Sequence, residues 1–169
     1  MKTLSSFKAT FLIPLVAFVV TAANAQDSKK DKQAAEAAAT KNLLDTKRFV
    51  FQAQSTTPTG GKLIQLSFGF YLKVSGDTMI SYLPYYGRSY SPTLPTENNG
   101  MNFTSTDFEY KIEDRKKGGW DVDIVPTDYT DVQKITLTVF ENGNTSAQII
   151  SKSKSTINYS GYIVSPDKK

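Results

Sequence analysis

The stretch Ile64–Val74, "IQLSFGFYLKV", decides the fold class, because apolar residues occupy every second position along it. Side chains of a strand alternate between two faces, whereas those of a helix repeat every 3.6 residues. The spacing therefore predicts a strand with one buried face. Gly69 lies in the middle of the stretch, and we expect a bend or a bulge there, since strand glycines often mark one. The residues predicted to share the buried face are Ile64, Leu66, Phe68, Phe70, Leu72 and Val74.

Alternating segments of the same kind recur on both sides of this stretch. They include "RFVFQAQ" before it and "TDFEYKIED", "WDVDIVP", "KITLTVF", "TSAQIIS" and "STINYSGYIVS" after it. Turn residues separate them, among them Asn142-Gly143, a strong hairpin signal because both residues tolerate positive φ. No helix-length pattern lies between them, and parallel strands would need crossover helices. Residues 47–164 are thus predicted to form one antiparallel barrel or sandwich of about eight or nine short strands, followed by a polar tail at 165–169.

The first 25 residues have the pattern of a secretory signal peptide. Lys2 and Lys8 precede the apolar run Phe11–Val20, and Ala23-Asn24-Ala25 forms an A-x-A cleavage site. The run is shorter than the roughly 20 residues that a spanning helix needs. We expect cleavage after Ala25, a periplasmic or secreted location and no transmembrane segment in the mature chain. The sequence has no cysteine, so we do not expect a lipoprotein.

Residues 26–46 are rich in alanine and lysine and contain neither glycine nor proline. These are strong helix formers, so the segment predicts a helix that precedes the strands. Its apolar side is mostly alanine until Leu43 and Leu44, and we expect it to pack only through its last turn. A flexible spacer is the alternative.

Composition excludes several kinds of chemistry. The absence of histidine and cysteine removes the usual zinc, copper and haem ligands, every histidine-based acid–base arrangement and any disulfide. The 20 basic and 16 acidic residues give a net charge of +4, and loss of Lys2 and Lys8 leaves 18 − 16 = +2. Such a small surplus provides no field of the kind that nucleic-acid binders use. We therefore expect no cofactor, no metal site, no nucleic-acid partner and no enzymatic activity.

The segment Ile80–Pro92, "ISYLPYYGRSYSP", is the best candidate for a binding surface, since it combines four tyrosines with one arginine. Exposed tyrosine rings beside a guanidinium suit stacking on sugars or contact with another protein. The alternative is architectural, because tyrosines are common on sheet faces and their hydroxyls often hold loops. The candidate ligand- or partner-binding residues are Tyr82, Tyr85, Tyr86, Arg88 and Tyr90.

Carboxylates at alternating positions form a second candidate site. Asp121 and Asp123 share one strand face, as do Glu109 and Glu113 on a neighbouring strand. Paired carboxylates can hydrolyse glycosidic bonds. Cross-strand pairing with the basic residues of the same hairpin, such as Lys111, explains the pattern more simply.

Two further positions are singled out by their type. Trp120, the single tryptophan, is interpreted as a core residue, with an exposed stacking platform as the alternative. Asp77-Thr78-Met79 is similar to the short acceptor pattern for O-glycosylation in exported proteins of the Bacteroidota, which makes Thr78 a possible modification site.

Four blocks of the sequence resemble a known family: "KRFVFQAQ", "GFYLKVSGDTMISYLPYYGRSYSP", "FTSTDFEYKIEDRKKGGWDVDIVP" and "INYSGYI". They are similar to domain-of-unknown-function family 4251 (DUF4251), a family of exported Bacteroidota proteins, over about Lys47 to Ile163. The resemblance implies a periplasmic or outer-envelope setting and transfers no activity and no catalytic residue. Some relatives begin with a lipoprotein cysteine, and this chain departs from that pattern.

The sequence thus favours a non-catalytic binding module of the cell envelope, which uses the tyrosine segment or an interior cavity to bind a small ligand or a glycan. A periplasmic protein–protein interaction or assembly factor, with an envelope protein as its partner, is the alternative. A carboxylate-dependent glycan hydrolase that uses Asp121 and Asp123 is the third hypothesis.

Overall fold

A computed structural model describes residues 13–90 and 100–167, with side chains from Lys29 onward. The N-terminal part of the proposed signal peptide, Ser91 and Pro92 of the tyrosine segment, and the last two residues lie outside the described residues. One helix comes first, α1 (Ile13–Asp45). The described residues after it contain ten strands: β1 (Arg48–Pro58), β2 (Ile64–Gln65), β3 (Tyr71–Ser75), β4 (Thr78–Leu83), β5 (Met101–Ser105), β6 (Phe108–Asp114), β7 (Trp120–Pro126), β8 (Val132–Val139), β9 (Asn144–Ser151) and β10 (Ile157–Val164).

The strands form one antiparallel sheet that curls into a nearly closed barrel. Nine of them lie in the order β5-β4-β3-β1-β10-β9-β8-β7-β6, and β2 pairs with β1. The two edge strands, β5 and β6, are consecutive in the chain and are joined only by Thr106 and Asp107, so the two edges of the sheet meet at this link. The predicted β class, antiparallel pairing and leading helix are confirmed, and the single curled sheet corresponds to the barrel rather than to the sandwich.

The inward positions of the strands are filled by large side chains. In β1, Phe49 and Phe51 are fully buried, while Val50 and Gln52, which alternate with them, are only partly covered. Trp120 is also buried, which confirms its interpretation as a core residue. Further fully buried side chains include Leu72, Met79, Leu83, Ile124, Ile135, Leu137, Ile149, Ile157 and Tyr159. The described inward side chains therefore form one continuous hydrophobic core.

The single strand predicted for Ile64–Val74 is confirmed at residues 71–74 and is wrong at residues 66–70. The stretch is two strands, β2 and β3, separated by residues 66–70. Gln65 pairs with Ser55 and Tyr71 pairs with Gln52. The five residues 66–70 therefore lie opposite only two residues of β1, 53 and 54. The extra residues leave the ladder as a large bulge, in which Gly69 has a φ of 102°. We call residues 66–70 the bulge.

The bulge overturns the predicted common buried face. Leu72 and Val74 are fully buried as expected, but Phe68 is completely exposed, at 103% of its reference surface. Ile64, Leu66 and Phe70 are only partly buried. The sequence predicts a bend at Gly69, but the insertion is large enough to turn Phe68 outward, while Leu66 and Phe70 still pack against the core.

The end of α1 is fixed to the barrel. The end of the helix belongs to the same compact unit as the strands, which begins at Glu36. Leu44 is fully buried, and its carbonyl accepts a hydrogen bond of 2.9 Å from the Tyr110 hydroxyl on β6. The Lys47 ammonium lies 5.3 Å from the centre of the Tyr110 ring. These contacts hold the last turn of the helix against the sheet. Among the described helical residues, no segment is both long and apolar enough to cross a membrane.

Candidate functional site

The outer face of the sheet carries a row of aromatic and amide side chains that crosses four strands. Tyr162 of β10 pairs with Gln52 of β1, Gln52 pairs with Tyr71 of β3, and Tyr71 pairs with Tyr82 of β4. Directly paired residues of antiparallel strands project from the same face. Gln52 alternates with the buried Phe51, so this face is the outer one. We call these four residues the outer row.

The outer row is held in place by side-chain contacts. The Tyr162 hydroxyl donates a hydrogen bond of 2.7 Å to Oε1 of Gln52. The rings of Tyr71 and Tyr82 lie 6.0 Å apart, and the Phe70 ring stacks on Tyr82 at 5.8 Å. Aromatic pairs in this range of separation stabilise one another. The result is a continuous patch of three rings beside a tyrosine–glutamine pair.

A glycine allows β10 and β1 to approach closely beside this row. A Cβ on Gly161 would lie 1.9 Å from the Gln52 carbonyl oxygen. Real Cβ atoms do not approach so closely, so any larger residue would force β1 and β10 apart. Gly161 therefore helps to set the position of Gln52 and of its partner Tyr162.

The bulge forms one wall of a pocket over the outer row. This outer pocket has a volume of about 260 Å³ and is open to solvent. Phe68, Gly69 and Phe70 of the bulge line it from one side. The other lining residues are Val50, Gln52, Ala53, Gln54, Tyr71 and Tyr162. β-bulges commonly re-aim side chains next to functional sites.

The side chains that line the outer pocket are uncharged. Its lining combines aromatic rings and a valine with two amides and two phenol hydroxyls, and none of these nine residues carries a formal charge. Tyr162 occupies one lone pair of Gln52 Oε1, which leaves the NH₂ group and the second lone pair of that oxygen for a ligand. Such a lining can bind an uncharged molecule that has both apolar and hydroxyl surfaces.

The predicted tyrosine segment divides into an architectural part and an exposed part. The Tyr85 hydroxyl contacts the Arg88 carbonyl at 2.7 Å, the Ser155 carbonyl at 3.1 Å and the Ser155 hydroxyl at 2.9 Å. The Lys154 ammonium lies 5.3 Å from the centre of the Tyr85 ring. Tyr85 therefore holds the loop after β4 against residues 153–155.

A second tyrosine holds the same loop from inside the barrel. The hydroxyl of the fully buried Tyr159 donates a hydrogen bond of 2.8 Å to the Pro84 carbonyl. Burial raises the pKa of Tyr159 well above its ordinary value, with smaller effects from Tyr85 and Tyr86. Tyr159 is thus neutral at any physiological pH and remains a hydrogen-bond donor.

The other predicted site residues are exposed and do not form one cluster. Tyr82 contacts Phe70 and Tyr71, whereas within residues 13–90 and 100–167 no ring contact joins it to Tyr86 or Tyr90. Tyr86 and Tyr90 are 50% and 70% exposed, and Arg88 is exposed beside them. The segment thus contributes Tyr82 to the outer row and presents its later residues elsewhere.

The carboxylates on β7 are engaged in cross-strand pairs. Asp123 lies 2.9 Å from the Lys134 ammonium and accepts a hydrogen bond of 2.8 Å from Thr136. Burial acts to raise the pKa of Asp123, but these two partners outweigh it, and the pKa is lowered. Asp121 contacts Arg115 at 3.4 Å and accepts a hydrogen bond from Thr138. These contacts agree with charge pairing on this face.

The remaining candidates are placed as follows. Thr78 is the half-buried first residue of β4 and pairs with Ser75 across a tight turn, and its modification stays a prediction. Among the described residues, no group of acidic side chains is arranged to hold a metal ion.

Sequence reasoning missed most of the outer pocket. The alternation predicts that Phe68 and Phe70 lie in the core, and no sequence pattern singles out Gln52, Tyr71 and Tyr162. The one local signal was Gly69, which marked the bulge without showing its size. The outer row itself depends on the pairing of strands more than 100 residues apart, as in Gln52 with Tyr162.

Comparison with known proteins identifies a family and a fold. A family model described as a domain of unknown function, DUF4251, matches residues 31–163. The crystal structure of a DUF4251 family protein from Bacteroides eggerthii is similar to this chain, with a TM-score of 0.58 and 16% sequence identity. The similarity covers 79% of this chain and 91% of that one. No curated protein matches the chain.

Proposed function

Because the chain belongs to the DUF4251 family, a domain of unknown function, we propose that it is an exported, non-catalytic binding module that takes its ligand in the outer pocket. The observation that carries this proposal is the exposure of Phe68 on the wall of that pocket. Full burial of a phenylalanine contributes about 1.5–3 kcal/mol, and in the free protein this contribution is absent. A ligand in the pocket would cover the ring and gain part of it.

The composition of the pocket supports binding rather than catalysis. None of its nine lining residues is a carboxylate, a lysine or an arginine, so the pocket supplies no strong general acid or base near neutral pH. The carboxylates that the hydrolase hypothesis would use, Asp121 and Asp123, are engaged with basic side chains and threonines on another part of the sheet.

Export is proposed from the sequence alone. The charged start, the short apolar run and the A-x-A pattern ending at Ala25 are typical of a secretory signal peptide. The mature protein would then act in the periplasm or outside the cell, where it meets small molecules and glycans.

The proposal can be tested by titrating the ¹⁵N-labelled protein with a library of small neutral and charged molecules. We expect backbone amide shifts to concentrate at Gln52, Tyr71 and the bulge. Phe68→Ala should weaken binding, whereas Phe140→Ala, which removes an exposed phenylalanine outside the pocket, should not. Shifts confined to other surfaces, or affinities unchanged by Phe68→Ala, would contradict the proposal.

A second candidate function is an interaction or assembly factor. It is favoured by Tyr86 and Tyr90, which are exposed on a loop whose backbone is fixed by the bonds of Tyr85 and of the Tyr90 amide to the Ser153 carbonyl. Exposed aromatic residues on a rigid backbone suit protein contacts. In a pull-down from envelope extract, loss of a specific partner with Tyr86→Ala/Tyr90→Ala but not with Phe68→Ala would support this function. Equal recovery with both variants would count against it.

A further inference from the structure

We infer that the ligand of the outer pocket is an uncharged oligosaccharide that lies across the strands, along the outer row. This inference rests on the proposed function and names the class of its ligand. It depends on three features of the described residues: the charge of the lining, the groups that remain available for binding, and the direction of the aromatic row.

The charge of the lining selects against ionic ligands. The pocket residues and the other members of the outer row carry no formal charge. An ionic ligand would lose hydration on entering such a site and would find no residue of opposite charge within the lining itself. The base that strand pairing places on this face, Lys73, lies opposite Val50 and is not a lining residue. The contrast within the same barrel is clear, since the outer face of β7 and β8 carries Asp121, Asp123 and Lys134. The pocket is therefore suited to a neutral molecule.

The available groups match a polyhydroxylated ring. Sugar rings present apolar C–H faces and hydroxyl edges, and the pocket offers aromatic faces from Phe68, Phe70 and Tyr71 together with the Gln52 NH₂ group. An extended peptide is recognised chiefly by main-chain pairing at a sheet edge. The outer pocket lies on a sheet face, where Gln52 and Tyr71 are already paired within the ladder. Recognition there has to use side chains, which favours a sugar over a peptide strand.

The size and direction of the site indicate more than one sugar unit. Pockets for drug-sized ligands have roughly 300–1,000 Å³, so a volume of about 260 Å³ suits one or two rings. The aromatic patch continues beyond the pocket through Tyr82, one strand further, and neighbouring strands are about 4.8 Å apart. A saccharide chain seated in the pocket could thus extend along the outer row and reach Tyr82.

The experiment compares three sets of probes on the purified protein by NMR titration: short neutral oligosaccharides derived from cellulose, mannan and galactan, acidic oligogalacturonates, and uncharged aromatic amides. We expect a neutral oligosaccharide to shift the amides of Gln52, Tyr71 and Tyr82 and to bind at least tenfold more tightly than the acidic probes. Binding of aromatic amides alone, or of oligogalacturonates in preference, would overturn the inference and leave the proposed pocket standing. The absence of shifts at the pocket with all three sets would overturn both.

Two variants test the direction of binding. Phe68→Ala should weaken the binding of monosaccharide and oligosaccharide alike, by roughly three- to tenfold, because one aromatic contact is worth about 0.5–1.5 kcal/mol. Tyr82→Ala should weaken only the oligosaccharide. Phe140→Ala, which removes an exposed aromatic residue outside the pocket and the outer row, is the control and should change neither. Equal loss with Tyr82→Ala and Phe140→Ala would overturn the proposed path across the strands.

Discussion

Replacement of Phe68 by alanine tests whether its side chain is exposed, as in the structure, or buried, as the apolar alternation of the sequence predicts. If the alternation of Ile64–Val74 continued through Phe68, the ring would lie in the core, and its loss would cost about 3–5 kcal/mol. In the structure the ring is fully exposed, and substitutions at such surface positions change stability by less than about 0.5 kcal/mol. Leu72 lies on the same predicted face and is fully buried. Leu72→Ala should therefore cost about 2–5 kcal/mol.

The assay is urea unfolding at equilibrium, followed by circular dichroism and by the fluorescence of the buried Trp120. With a slope of about 1–3 kcal/mol/M, Leu72→Ala should lower the midpoint by roughly 0.7 M or more, and Phe68→Ala by less than about 0.5 M. A loss of more than about 2 kcal/mol in Phe68→Ala would refute the outward bulge. A loss below about 1 kcal/mol in Leu72→Ala would refute the packed interior beneath it.

Three further predictions concern the bulge, the loop after β4 and acid stability. Gly69→Ala should lower the free energy of unfolding by about 1–3 kcal/mol, because the φ of 102° strains any residue that has a Cβ. Steric overlap adds nothing to this cost, since a Cβ on Gly69 would meet no atom within 4 Å. A loss below about 0.5 kcal/mol in urea unfolding would contradict the backbone geometry of the bulge. Tyr85→Phe should lower the free energy of unfolding by about 1–2 kcal/mol, because the hydrogen bonds of its hydroxyl to Arg88 and Ser155 are lost. Hydrogen exchange of the Arg88 and Ser155 amides should accelerate. Unchanged exchange would show that the Tyr85 hydroxyl does not hold this loop. Burial acts to raise the pKa of Asp131, but hydrogen bonds from Ser153 and Ser151 lower it below its ordinary value. Since the folded state then binds fewer protons than the unfolded state, this contribution is complete above the ordinary aspartate pKa of about 3.9 and is lost as the pH falls through the folded pKa. Asp131→Asn should flatten the acid side of the stability profile, and an unchanged slope would refute this role.

Regular strands were predictable from the sequence because their pairing is uninterrupted. The alternation in "RFVFQAQ" places Phe49, Phe51 and Ala53 on one face of β1, and all three are buried. The inward residues of β7, Trp120, Val122 and Ile124, are buried in the same way. In such strands each residue has one partner on either side, so the alternation of apolar residues reports directly on the faces of the sheet.

The bulge could not be predicted from the alternation. Its sequence keeps the spacing of apolar residues. Only the pairing of Gln65 with Ser55 and of Tyr71 with Gln52 shows that the segment between β2 and β3 has three residues more than the part of β1 opposite it. The presence of Gly69 indicated an irregularity, but a strand pattern contains no information on how many residues leave the ladder.

The candidate site could be predicted only in part, since it depends on strand register. Tyr82 was singled out from its sequence neighbours, yet its contacts in the structure are Phe70 and Tyr71 of another segment. Tyr85, from the same tyrosine segment, holds a loop. Composition identifies aromatic residues that can bind, but the fold decides which of them face solvent together.

The most direct test of the outer pocket is hydroxyl-radical footprinting of the protein with and without a bound neutral oligosaccharide, read by mass spectrometry. We expect Phe68 to be oxidised rapidly in the free protein while Phe49 and Phe51 are protected. The ligand should slow oxidation of Phe68 and Tyr71 but not of Phe140. Protection of Phe68 in the free protein, or oxidation of Phe68 at the same rate with ligand bound, would contradict this expectation.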